Sequence, residues 1–282
     1  MKRNVIRRRL IESKSDAGDD PDPRDGAVQS VDRALLIIET LAEDDEGYRL
    51  TDLAVRTGLS PSTVHRLLTT LEKRRFVQFD RDQSMWHIGA QSFAVGATFA
   101  RRRNFVCQAM PYLRKLRDQT KETANLAVVD DETIIVLTRM ESREIMRSLT
   151  KVGGRVAMVA SGVGKAVLAT YSDEDVSAII RRQGMPRFTE KSIVRASELF
   201  RELATIRQQD YAVDDEEARI GLRCVAAVIY NNCSEPLAAI SVSGMTSRVT
   251  DDRLPALGKI VREVAAELTV ALGGVMPEPK SS

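Results

Sequence analysis

The sequence predicts an α+β fold in two parts, a helical N-terminal segment closed by a β-hairpin and a C-terminal sheet flanked by helices. Three observations carry that expectation. The chain has 282 residues, more than a single domain of about 100–200 residues needs. Apolar residues between Val31 and Leu71 recur at helical spacing and are followed by two short alternating runs. From 123 to 274, β-rich runs alternate with amphipathic stretches, and Asp130-Asp131-Glu132 reads as a tight hairpin turn between the first two. That order suits a mostly antiparallel sheet rather than a doubly wound one.

Composition narrows the function classes. Apolar residues make up 43% and charged residues 29%, which supports a packed core and excludes wholesale disorder. Lys and Arg number 42 against 40 Asp and Glu, a net +2; this excludes a histone-like polycation and leaves room for a local basic patch. Three cysteines (Cys107, Cys224, Cys233) are too few and too scattered for a disulfide framework, pointing to a reducing compartment. No uncharged apolar run approaches the roughly 18 residues of a membrane span. The basic start (Lys2, Arg3, Arg7, Arg8, Arg9) is not followed by a signal-peptide core. A cytoplasmic protein with no membrane partner is expected.

Residues 1–27 read as a disordered tail, basic first and then acidic with prolines. Residues 28–90 form the first domain. Val31, Ala34, Leu35, Ile38 and Leu41 fall at helical spacing, with Ser30 expected as N-cap. After a polar loop with Gly47, Thr51 is expected to cap a helix over 52–56, packed through Leu53 and Ala54 and ended by Gly58. Ser60-Pro61 then supplies an N-cap with Pro at the first helical position, opening a helix through Thr63, Val64, Leu67, Leu68 and Leu71 to about Arg74. Phe76–Phe79 and Met85–Ile88 flank the polar turn 80–84 and predict a hairpin.

Two short helices joined at a Gly-containing turn, then a hairpin, make a winged helix-turn-helix. Its second helix lies in the major groove and offers residues near its N-terminus to base edges and phosphates. Here those are Ser60, Ser62, Thr63, His65, Arg66 and Thr69, whose hydroxyl, imidazole and guanidinium groups suit such contacts. Arg66, Lys73, Arg74, Arg75 and Arg81 cluster here against only Glu72 and Asp80, so Arg81 in the hairpin turn joins the candidates. Alone, a basic cluster reads as a solvated helix face, and a helical hairpin can serve a protein interface. Capping, hairpin and charge together favour double-stranded DNA as the partner.

Residues 91–121 read as a helical linker region. Phe93, Ala97 and Ala100 form a stripe suited to pairing with a second subunit, interrupted by Arg101-Arg102-Arg103, which reads equally as a DNA-backbone contact or a solvated linker. Val106, Met110, Leu113 and Leu116 continue a helix, with a kink or break expected at Pro111. The second domain, 122–274, carries strand-like runs at 124–129, 133–140, 145–150, 211–213, 222–230 and 237–243, and helix-like runs at 164–170, 173–182, 196–209 and 253–272. A short disordered tail, 275–282, is expected to follow.

The most informative stretch is Ala160-Ser-Gly-Val-Gly-Lys-Ala166. A nucleotide-binding phosphate loop needs Gly where Val159 stands and Ser or Thr where Ala166 stands, so nucleotide hydrolysis loses its support. A Gly-containing loop opening a helix remains, whose N–H groups favour a small anion; the bland reading is a helix start capped by Ser161. Ser241 and Ser243, two apart on an otherwise apolar strand, share one sheet face, and buried hydroxyls are costly unless hydrogen-bonded. With Cys224 and Asp214 they predict a small polar pocket. A carboxylate ligand would sit at the N–H groups of Gly162 and Val163, while Asp214 would accept from a ligand hydroxyl, such as that of a hydrated aldehyde. Lys165 is taken as an exposed helix lysine. Both histidines, His65 and His87, lie in the first domain, so Cys224 lacks the base a nucleophile needs. The three cysteines match no zinc spacing. No catalytic residue, metal or cofactor is expected.

With these stretches in view, the sequence resembles the IclR family of transcriptional regulators over about residues 28–274. The resemblance rests on Val28-Gln-Ser-Val-Asp-Arg-Ala34, Ser62-Thr-Val-His-Arg-Leu-Leu-Thr-Thr-Leu71, Ala160-Ser-Gly-Val-Gly-Lys-Ala166, Gly221-Leu-Arg-Cys-Val-Ala-Ala227, Ala239-Ile-Ser-Val-Ser-Gly244 and Ser247-Arg-Val-Thr-Asp-Asp-Arg253, in order. It implies a winged helix-turn-helix, a linker helix and a GAF-like effector-binding domain, in dimers that pair into tetramers on DNA. The sequence is most similar to the glyoxylate-responsive branch. That similarity implies a glyoxylate site at Gly162 and Val163 (backbone N–H), Asp214, Cys224, Ser241 and Ser243. The Val163 position often carries Ala in that branch, a change a backbone contact tolerates. The expected function is a DNA-binding regulator whose operator binding responds to a small 2-oxo carboxylate, glyoxylate first. The alternatives are a different small organic acid, or a second domain used only for assembly.

Overall fold

The computed structural model describes residues 28–102, 105–130, 132–142 and 151–277. The tail expected over 1–27, the strand expected over 145–150, Arg103 and the end of the 275–282 tail lie outside the described residues, as do the side chains of Ala100, Arg101 and Arg102. The chain divides into two compact units between Thr98 and Phe99.

The first unit holds α1 (Gln29–Leu41), α2 (Leu50–Thr57), α3 (Pro61–Lys73), β1 (Val77–Asp80), β2 (Met85–Ile88) and the start of α4 (Ala90–Arg102). Its core gathers Ile37, Leu41, Leu53, Val64, Leu68, Val77 and Trp86, each large apolar side chain contributing about 1.5–3 kcal/mol on burial. The core stripe of α1 runs through Ile37 and Leu41, while Val31 and Leu35 are exposed, so the apolar face is rotated from the one expected. Ser30 lies inside α1, because the Val28 carbonyl already accepts from the Val31 and Asp32 N–H groups. Thr51 likewise sits in the first turn of α2, since the Arg49 carbonyl accepts from Asp52 and Leu53. Gly58 ends α2 with φ 68°, the left-handed conformation glycine adopts without penalty.

Strands β1 and β2 pair antiparallel, Val77 opposite Ile88 through Asp80 opposite Met85. Asp80 Oδ1 accepts from the Asp82 and Gln83 N–H groups and so shapes the hairpin turn. A feature absent from the sequence reading is a third chain segment beside the hairpin: Tyr48 and Trp86 exchange backbone hydrogen bonds of 3.0 and 2.8 Å.

The stretch read as one linker forms two helices, α4 and α5 (Phe105–Thr120). Helix α5 runs through Pro111 without ending. The second unit continues with β3 (Thr123–Asp130), β4 (Thr133–Met140), β5 (Arg155–Ala157), α6 (Gly162–Leu168), α7 (Asp173–Gln183), α8 (Ala196–Gln209), β6 (Ala212–Asp215), β7 (Leu222–Tyr230), β8 (Pro236–Met245) and α9 (Leu254–Ala271). The sheet order is β5-β4-β3-β8-β7-β6, and every described pairing is antiparallel. Alternation along β7 and β8 gives the sheet two apolar faces. Val225, Ala227, Ile229, Ile240 and Val242 face α5 and α9, which contribute Leu113, Leu116, Val261 and Leu268. Ala226, Val228 and Ala239 face α6, α7 and α8, which contribute Val167, Leu168, Ile179, Leu199 and Leu203. This α+β architecture leaves one region of the second face polar, under the start of α6.

Candidate functional site

On the first unit, the candidate surface is α3. Ser60 is its N-cap, accepting from the Thr63 N–H at 3.3 Å, and Pro61 opens the helix. Val64 and Leu68 anchor it inward, so Ser62, His65 and Arg66 face out, with Thr63 and Thr69 at the margin. Several hydroxyls are engaged locally. Ser60 Oγ lies 3.1 Å from Ser62 Oγ and 2.9 Å from Thr63 Oγ1, and Thr69 donates to the His65 carbonyl at 2.8 Å. The long exposed groups, His65 and Arg66, are the ones with reach. Arg81 stands exposed in the hairpin turn. A separate cleft of about 650 Å³ is lined by Asp44, Asp45, Asp80 and His87; its carboxylates carry the wrong sign for phosphate.

In the second unit, strand register brings the predicted site residues together. Asp214 stands opposite Cys224, Cys224 opposite Ser243, and Ser241 opposite Ala226 on the same face. Across the sheet's polar patch comes the N-terminus of α6. A Cβ added at Gly162 would lie 3.1 Å from the Cys224 carbonyl oxygen and 3.3 Å from its sulfur, so the helix start is pressed onto β7. At Gly164 a Cβ would fall 2.1 Å from the Met158 carbonyl oxygen, a contact only glycine avoids. Ser161 does cap the helix, accepting from the Gly164 N–H at 3.0 Å and donating to Ala157 O at 2.8 Å. The helix start capped by Ser161 is therefore present, beside the polar row. The first N–H groups of a helix have no intrahelical acceptor, and here those belong to Gly162 and Val163.

Asp214 is buried, and its Oδ1 accepts from the Glu217 and Ala218 N–H groups at 2.8 and 3.4 Å. Burial pushes its carboxyl up to about 6, against the opposing pull of those N–H groups and of Lys165. Burial also pushes the Cys224 thiol up to about 11, which keeps it protonated and makes it a poor nucleophile.

Two parts of the site escaped the sequence reading. Lys165, expected to be exposed, is fully buried. Helix α6 is buried over its whole length, so no face lets a lysine stem reach water. Its ammonium instead donates to Glu217 and, at 3.2 Å, to Glu202. Burial pushes Glu217 up to about 7, and its Oε2 is the buried side-chain oxygen without a partner among the described residues. The other omission is Asn125 on β3, opposite Ser241, whose Nδ2 lies 3.3 Å from both Ser241 Oγ and Ser243 Oγ. Its signal was present: it is the one amide in the apolar run Ala124–Val129. Among the described residues, no group of three His, Cys, Asp or Glu side chains is placed to hold a metal, and no helix is long and apolar enough to cross a membrane.

The profile of the IclR helix-turn-helix domain matches residues 30–81, and that of the bacterial transcriptional regulator IclR C-terminal domain matches 97–270, more than half the chain. The chain is 42% identical over 254 residues to the acetate operon repressor of Salmonella typhimurium, covering 89% of this chain and 93% of that protein. It is 39% identical over 247 residues to the HTH-type transcriptional regulator BhcR of Paracoccus denitrificans, covering 88% of each. Among solved structures, an IclR transcriptional regulator from Alicyclobacillus acidocaldarius superposes with a TM-score of 0.74 at 25% identity, over 87% of this chain and 99% of that one.

Proposed function

The chain belongs to the IclR family of bacterial transcriptional regulators, a family of DNA-binding regulators and not of enzymes, and we propose that it is a cytoplasmic repressor whose hold on its operator is set by a small 2-oxo carboxylate, glyoxylate first. The observation that carries the effector reading is the polar row Asp214, Cys224, Ser243 and Ser241 beneath the start of α6. So many polar groups in so little space suit a two- or three-carbon acid. A bulky aromatic acid would leave several of them unpaired, each at a cost of about 1–3 kcal/mol. The effector carboxylate sits at the Gly162 and Val163 N–H groups, and Asp214 accepts from the hydrated aldehyde.

On the DNA side, Ser60, Ser62, Thr63, His65, Arg66, Thr69 and Arg81 form the operator-facing surface, with His65 and Arg66 reaching furthest. A two-fold dimer sets two copies of α3 about one DNA turn apart, and the exposed Phe93 with Ala97 on α4 is the proposed contact between copies; a tetramer pairs two such dimers. The effector acts by binding two arrangements of the protein with different affinity.

Isothermal titration of glyoxylate into the full-length protein, followed by a gel shift on its own upstream DNA, tests the reading. Saturable binding is expected, lost in the Ser241→Ala/Ser243→Ala protein while DNA binding without effector is kept. Protein that binds DNA but gives no heat with glyoxylate at millimolar concentration would sink the assignment.

A further inference from the structure

Asn125 is the group that the effector reading leaves unused. Its Nδ2 lies 3.3 Å from the hydroxyl oxygens of both Ser241 and Ser243, and its strand, β3, holds it in register with Ser241 and two residues from Thr123, which faces Ser243. An amide nitrogen carries two hydrogens and acts only as a donor, so both contacts run one way, from Asn125 to the serines. A hydroxyl has a single hydrogen, and accepting from Asn125 leaves that hydrogen to be donated. Ser243 stands opposite Cys224 on the neighbouring strand, and a ligand oxygen is a better acceptor for these hydrogens than a thiol sulfur.

We propose that Asn125 is a specificity-determining positioning residue, which by donating to Ser241 and Ser243 together fixes them as a pair of donors aimed at the effector. The inference rests on the reading of this pocket as a 2-oxo acid site and adds its polarity. The group seated at the serines is an acceptor oxygen, of a carbonyl or carboxylate, and an ammonium, which only donates, is refused there. Across the row, the Asp214 carboxylate accepts, so the two walls of the pocket ask for opposite ends of the ligand. A 2-oxo acid in its hydrated form presents both, its hydroxyls donating to Asp214 and its oxygens accepting from the serines.

The test is a mutant cycle read by titration with glyoxylate on the full-length protein. Asn125→Ala should weaken binding about tenfold, the loss expected when a modest hydrogen-bond contribution disappears. In a Ser241→Ala or a Ser243→Ala background the same change should cost only about threefold, because one of its two routes is already gone. A merely structural role for Asn125 would cost the same factor in every background, and that result, or unchanged affinity of Asn125→Ala alone, would overturn the proposal. Asn125→Thr, better suited to a strand, repeats the cycle should the alanine protein unfold. Failure of the unmodified protein to bind glyoxylate overturns the effector reading and this inference with it; equal factors in every background overturn the inference alone.

Discussion

Helices α3 and α6 begin alike and are used in opposite ways. Each has a serine N-cap in extended conformation, Ser60 and Ser161, accepting from the N–H three residues on. After Ser60 the chain places Pro61, Ser62 and Thr63, then the exposed His65 and Arg66, so the helix presents side chains. After Ser161 it places Gly162, Val163 and Gly164, and the helix is buried against the sheet from end to end. In the proposed reading, the first start meets a large charged surface with side chains and the second meets a small ligand with backbone N–H groups. What separates them is the bulk of the residues behind the cap, which decides whether side chains or backbone meet the partner.

The largest effect expected from this contrast lies at Lys165, the charge that α6 buries and that α3 would have left in water. Replacing it by Met strands Glu217 and Glu202, and removing one partner of a buried ion pair costs about 3–5 kcal/mol. Denaturant unfolding of the Lys165→Met protein should show that loss above pH 7 and a smaller one in acid, where Glu217 takes up a proton. Arg66→Met on α3, the matched change at an exposed cation, should leave stability within about 0.5 kcal/mol. Equal losses at the two positions would erase the distinction.

Acid titration sharpens the same point. Burial raises Glu217 from 4.5 to about 7 and Asp214 from 3.8 to about 6. Over that range the folded chain holds protons that the unfolded chain has released. The stability these groups allow is therefore fully present below their unfolded values and is lost as the pH rises through 6 and 7. Each proton of difference changes stability by about 1.4 kcal/mol per pH unit. Glu217→Gln should flatten the decline between pH 5 and 7 by nearly one proton. A profile identical to that of the unmodified protein would show that Glu217 titrates alike in both states.

The contrast also explains what could be read from the sequence. Local signals held: Ser60-Pro61 marked the start of α3, Met85–Ile88 and Leu222–Tyr230 were read at their observed bounds, and so was the helix over 196–209. Caps resting on backbone alone, at Val28 and Arg49, carry no side-chain signature and were missed. The pocket row was legible because a Ser pair at i, i+2 breaks an apolar strand. Lys165 was not, because a lysine is exposed by default and its partners Glu202 and Glu217 stand 37 and 52 residues away. Asn125 reaches its serines across 116 and 118 residues, a pairing set by which strands become neighbours.

On the reading helix itself, Arg66→Ala should weaken operator binding without touching glyoxylate binding. A base contact by Arg66 would cost about 1–3 kcal/mol of discrimination, whereas a phosphate contact would lower the salt slope by about one. Gel shifts at several salt concentrations separate the two outcomes, and unchanged affinity throughout would remove Arg66 from the reading surface.

The last contrast lies at the two caps, where the helices differ least and where Ser60→Ala is the mildest of these changes. Ser60→Ala removes an exposed acceptor, and water replaces it at the Thr63 N–H, so the loss should be about 1 kcal/mol. Ser161 is buried and has a second bond, donated to the Ala157 carbonyl. Its replacement leaves both the Gly164 N–H and that carbonyl short of a partner, each buried orphan costing about 1–3 kcal/mol. Ser161→Ala should therefore cost more than Ser60→Ala in denaturant unfolding, and it should also weaken glyoxylate binding by loosening the Gly162 and Val163 N–H groups. Ser60→Ala should instead weaken the operator complex and leave glyoxylate binding as it was. Equal losses of stability, with no separation between the two ligands, would mean that the helix starts differ in burial only and that their partners are found elsewhere.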